Sequence, residues 1–135
     1  MVAPTTSPVG RIMLPVDGSL HSMNAAEYAA DLAHFAAAEI LLVHCCKALP
    51  KYLGEPYLQQ AINRVNAAAR NLMRPYGELL SRRQLSFTEL ILEGRPAAMI
   101  CRSAAIERCD LVVMGSRGCT DLKGLLLGSV THRVL

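Results

Sequence analysis

"RIMLPVDGS", residues 11 to 19, decides how the rest of the chain is read. Ile12 to Val16 form a short apolar run with no polar alternation, and Asp17-Gly18 closes it with a turn pair. That is the pattern of a strand covered on both faces. Strands of this kind belong to parallel sheets, whose crossovers are usually helical, so a helix is expected next. The stretch "SLHSMNAAEYAADLAHFAAAE" (19 to 39) supplies it, with Ala, Leu and Tyr at three- and four-residue spacing behind Ser19 or Ser22 as the cap.

The alternation continues to residue 115. "EILLVHCC" (39 to 46) reads as a second buried strand, and "KALPKYLGEP" (47 to 56), with two prolines and a glycine, as a loop. Residues 57 to 82 keep a helical period, in which Pro75 and Gly77 are expected to kink or end the regular part. "SFTELILEG" (86 to 94) is a third strand, "PAAMICRSAAIERC" (96 to 109) a third helix with Pro96 in its first turn, and "DLVVMG" (110 to 115) a fourth strand. Strands and helices in this order predict an open α/β parallel sheet, doubly wound, with helices on both faces. The 135 residues are read as a single domain with a flexible tail over 1 to 9, and no internal repeat is visible.

Composition narrows the classes of function. Hydrophobic residues make up 52% but aromatics only 4%, so the core must be aliphatic and rich in alanine. No apolar stretch reaches the ~20 residues of a membrane span, and "MVAPTTSPVGR" lacks the basic-then-apolar order of a secretory signal, so the expectation is a cytoplasmic protein with no membrane partner. Five cysteines, an odd number without a C-x-x-C pair, argue against a disulfide framework and a zinc site. The net charge of +3 comes from scattered basic residues, which argues against a nucleic-acid surface. His21, His34, His44 and His132 show no metal-ligand spacing and are read as helix or core histidines, so no metal ligand is assigned. No paired carboxylates, Ser/His/Asp set or general base can be named, so no catalytic residue is assigned and hydrolysis would be slow at most.

In such a sheet a ligand sits beyond the carboxyl ends of the strands, where the strand order reverses. Two loops lie there: Asp17-Gly18 and the stretch "GSRGCTDLKGLLLGS" (115 to 129). Gly115 and Gly118 can turn backbone N–H groups toward a phosphate, and Gly128-Ser129 is read as the start of a further helix whose first amides lack internal partners. Ser129 and Thr131 would add hydroxyls. The plainer reading stays open beside this one: Gly115 ends a strand, Gly118 makes a turn, and Ser129 caps a helix. Arg117 and Lys123 either meet a phosphate or project into water. Neither G-x-x-x-x-G-K-[ST] nor G-x-G-x-x-G occurs.

"MGSRG", nine residues, then "GSVT" resembles the nucleotide-binding signature of the universal stress protein family, G-x-x-G-x(9)-G-[ST]. "RIMLPVDGS", "ILLVHC" and "EGRPAAMI" resemble the family's first strand, second strand and turn into the third helix. The resemblance implies an adenine nucleotide alpha hydrolase-like fold and a stress-response regulatory protein that binds ATP, with or without Mg2+. Asp17 would hold the ribose hydroxyls, Pro15 and Val16 would shape the adenine side, and Cys45 would meet adenine through its backbone. Met114 and Gly115 would line the ribose and phosphate edge, and Gly118, Gly128, Ser129, Val130 and Thr131 would cradle the phosphates, with Arg117 as a candidate for the γ-phosphate. The family continues beyond this chain's last helix into a fifth strand. The final strand is therefore expected to be absent, leaving 110 to 115 as a bare edge that a second copy would cover in a homodimer. The alternatives are an adenylyl-transferring enzyme of related architecture and an interaction module whose crevice binds no nucleotide; the protein partner is unknown.

Overall fold

The computed structural model describes residues 9–50 and 52–115, and the backbone of 125–129. The elements are β1 (Arg11–Pro15), α1 (Leu20–Ala36), β2 (Glu39–Cys46), α2 (Tyr57–Arg82), β3 (Phe87–Glu93), α3 (Pro96–Ile106), β4 (Leu111–Gly115) and β5 (Leu125–Ser129). They build one sheet of order β3-β2-β1-β4-β5. Strands β1 to β4 are parallel, and β5 runs antiparallel to β4. The chain moves outward from β1 to β2 and β3, then crosses back to place β4 on the other side of β1. The switch point of the sheet therefore lies between β1 and β4.

Two layers cover the sheet because successive strand residues face opposite sides. Ile12 and Leu14 of β1, Ile40 and Leu42 of β2, and Val113 of β4 pack with α1 and α2. The fully buried side chains of α1 in this contact are all small, Ala25, Ala26, Ala29, Ala30 and Ala33, with Met23 and Leu32 packed at its margin, so the axis can approach the strands closely, while α2 contributes the bulkier Met73, Tyr76 and Leu80. On the opposite face Met13, Leu41 and Val43 pack against Ile100 and Ala104 of α3 and against Cys109.

The amino end of the sheet is tied by polar groups. Asp110 Oδ2 accepts from the amides of Gly10 (2.7 Å) and Arg11 (3.1 Å), and the Asp110 amide donates to the Arg11 carbonyl at 2.8 Å. Arg11 Nε donates to Glu39 at 2.6 Å, and its guanidinium also reaches the Glu107 carbonyl at 2.8 Å. The bond to Glu39 is the main reason the Arg11 pKa is raised. Burial pushes the neighbouring Cys109 thiol up to about 11, with Arg11 pulling the other way.

Three expectations are corrected. Helix α2 runs on through Pro75 to Arg82. Pro75 and Asn71 are both exposed, so water can serve the carbonyl that proline leaves without a helical donor. Gly77 is no break either: its Cα is buried on β3, where an added Cβ would stand 3.5 Å from Phe87 and Glu89. The third correction is the largest. Gly128 and Ser129 do not begin a helix; they are the last two residues of β5, paired with Val112 and Leu111. The apolar run "LLL" before them adds a strand whose hydrogen bonds satisfy the edge of β4. The chain thus supplies a fifth strand of its own, and the bare edge invoked for dimerisation is covered.

Candidate functional site

The carboxyl ends of β1 and β4 open into a crevice enclosing a cavity of about 160 Å³. Six residues singled out from the sequence line it together: Pro15, Val16, Asp17, Cys45, Met114 and Gly115. Among the described residues four others line it: Ser22, His44, Pro96 and Ile100. The register explains the grouping. Pro15, the last residue of β1, stands beside Val43 of β2, so the residues just after Val43 and just after Pro15 meet at one level. The sequence places His44 as a helix or core histidine, and only this register shows that it belongs at the mouth.

The turn from β1 into α1 is fully committed in its backbone donors. Val16 N donates to the Val43 carbonyl at 2.8 Å, Asp17 N to Ser22 Oγ at 3.1 Å, Gly18 N to the Tyr76 hydroxyl at 3.0 Å, and Ser19 N to Asp17 Oδ1 at 2.9 Å. Ser19 is the cap of α1, accepting from Ser22 N at 3.1 Å, which leaves the Ser22 hydroxyl for Asp17. Gly18 has φ of +84°, a value that favours glycine. Four consecutive amides thus have partners from β2, α1, α2 and the turn itself. This turn is not an anion-binding nest: what it presents to a ligand is the exposed carboxylate of Asp17, an acceptor.

Gly115 has a reason of its own to be glycine. A Cβ there would lie 2.7 Å from the carbonyl carbon of His21 and 2.9 Å from the amide nitrogen of Ser22, both backbone atoms of α1. The first turn of α1 sits directly on the end of β4 and floors the crevice.

Cys45 lines the crevice, whereas Cys46 lines a second cavity of about 150 Å³ shared with Ile62, Val65 and Asn66 of α2 and Glu93 of β3. Burial raises the pKa of both thiols, with Cys46 adding to the effect on Cys45 and Glu93 to that on Cys46. Both are therefore poor nucleophiles near neutral pH. Among the described residues no group of three or more His, Cys, Asp or Glu is placed to hold a metal ion, and no helix is long and apolar enough to cross a membrane.

Arg117, Gly118, Val130 and Thr131 lie outside the described residues, as does Lys123. Gly128 and Ser129 stand beside the first residues of β4, at the end of that strand away from Gly115. The structure does not bring these two to the crevice.

A sequence model described as the universal stress protein family matches residues 8–135. A universal stress protein of Thermus aquaticus is 36% identical over 125 residues, spanning 92% of this chain and 89% of that one. The solved structure of a Methanocaldococcus jannaschii protein superposes with a TM-score of 0.71 at 28% identity, covering 93% of this chain and 88% of the other. A family member from Arabidopsis thaliana, solved with AMP bound, shares the fold at a TM-score of 0.62 and 20% identity, covering 82% and 78%. Sequence and architecture agree, and the chain belongs to the universal stress protein family.

Proposed function

We propose that the protein is a cytoplasmic stress-response regulator that binds an adenine nucleotide, ATP by preference and with Mg2+ carried by its phosphates, in the crevice between β1 and β4. The observation that carries this reading is the meeting of a mainly apolar wall, Pro15, Val16, Cys45, Ile100 and Met114, with a carboxylate, Asp17, at the switch point of the sheet. The cavity is smaller than the roughly 300–1,000 Å³ of a site that encloses a whole ligand, so it takes the flat base and leaves ribose and phosphates along the mouth. Asp17 receives the ribose hydroxyls. The Arabidopsis relative crystallised with AMP supports the class of ligand. The nucleotide is held as a signal and hydrolysed slowly at most. The protein acts as a homodimer and does not bind nucleic acid.

Titration calorimetry tests the reading: ATP should bind the full chain and its 2′,3′-dideoxyribose analogue should bind markedly less. Equal affinity for the two would remove Asp17 from the ribose, and no heat with any adenine nucleotide would leave the interaction-module reading in place. The signature assigns the phosphates to Arg117, Gly118, Gly128, Ser129, Val130 and Thr131, whereas Gly128 and Ser129 stand in β5. Gly118→Val against Gly128→Val separates these: loss of ATP binding in both returns 128 to 131 to the phosphates, and loss in Gly118→Val alone leaves Gly128 to the strand.

A further inference from the structure

His44 Nδ1 lies 2.8 Å from the Val16 carbonyl. A carbonyl can only accept, so Nδ1 carries the proton and donates it. The Val16 carbonyl belongs to the peptide whose nitrogen is that of Asp17. The next amide, that of Gly18, is held from another direction by the hydroxyl of Tyr76, whose side chain is buried (1% exposed) in α2. Asp17 thus stands between two anchors. One comes from β2 and the other from α2, 58 residues away in sequence. Neither anchor is needed to make a strand or a helix, and a phenyl ring would fill the place of Tyr76 in the core equally well.

We propose that His44 and Tyr76 are positioning residues for the crevice, fixing the β1–α1 turn in advance so that the Asp17 carboxylate faces the ligand. This rests on the adenine-nucleotide reading above. Without the anchors the turn, which contains a glycine at positive φ, would have to be ordered when ligand binds, and that cost would appear as lost affinity.

The test pairs amide hydrogen exchange with calorimetry on the full chain. Tyr76→Phe removes one oxygen and leaves the Gly18 N–H without its partner. Exchange at Gly18 should accelerate by roughly ten-fold or more while core amides keep their protection, and ATP affinity should fall several-fold. His44→Gln moves the side-chain amide away from the Nδ1 position and should lose roughly ten-fold in affinity, whereas His44→Asn, whose amide can occupy that position, should recover most of it. A purely structural role would lower melting temperature in both His44 variants without separating their affinities. Parent-like exchange at Gly18 in Tyr76→Phe, or equal ATP affinity in His44→Gln and His44→Asn, overturns the proposal. A parent chain that binds no adenine nucleotide overturns the functional reading instead, and the Gly18 exchange rates then decide alone whether the anchors preset the turn.

Discussion

Asp17 brings the one carboxylate among the described residues that line the crevice. Its Oδ1 is engaged by Ser19 N, so the side chain is held in one orientation. Asp17→Ala should weaken ATP binding by about 1–3 kcal/mol, since the ribose hydroxyls lose a charged acceptor, and calorimetry reads this directly. Gly115 carries a different kind of constraint. Gly115→Ala brings a methyl against the backbone of His21 and Ser22, so α1 must lift from β4; the variant should lower the denaturation midpoint by more than Asp17→Ala does, in chemical denaturation of the two side by side. The place of Asp17 at the ligand end of the sheet was legible in sequence because it follows an apolar run and opens a turn, whereas its ribose role rests on the family resemblance alone. The reason for Gly115 was not, because it depends on which helix lands on that strand end, and nothing local to "VVMGS" encodes the arrival of His21.

At the scale of elements, the alternation of short apolar runs with alanine-rich periodic stretches fixed the type and order of the first seven. Bounds shifted by a few residues where polar ends fray or enter loops: α3 stops at Ile106, and Cys109, read as part of that helix, is a buried residue beyond it. Ser19 rather than Ser22 caps α1, a choice made by Asp17, whose amide takes the Ser22 hydroxyl. Ser19→Ala should therefore cost about 1 kcal/mol of stability in urea denaturation. "LLLGS" went unrecognised as a strand because glycine followed by serine after an apolar run also describes the start of a helix, and only the open edge of β4 resolves the ambiguity. Pro75 misled for the opposite reason: its local rule is sound, but exposure of Asn71 lets water serve the carbonyl that proline leaves without a donor.

For the whole molecule, the burial of Cys109 at the amino end of the sheet sets how it answers to alkali. The Cys109 thiol has a pKa of about 11 in the folded chain, above the roughly 8.5 of an unfolded cysteine. Because the folded pKa is raised, the stabilising difference is complete below the unfolded value and is lost as pH climbs through the folded one. Stability should fall by roughly 3 kcal/mol between about pH 8.5 and 11, and Cys109→Ala should flatten that slope in denaturant titrations across the same range. The sheet now ends at β3 on one side and β5 on the other. Light scattering should find twice the mass of one chain, with contact through an outer edge in place of β4; a monomer at high concentration would end the dimer proposal.

Cys45 and Cys46 are neighbours in sequence yet open into separate cavities, one on each side of β2. A fluorinated tag small enough for either thiol would turn this step of one residue into two independent gauges. The signal at Cys45 should respond when nucleotide fills the crevice, while that at Cys46 listens to α2 and stays silent unless binding is felt through the sheet itself. Whether the second gauge moves would reveal if this protein keeps its message at the mouth of the crevice or passes it to the far face.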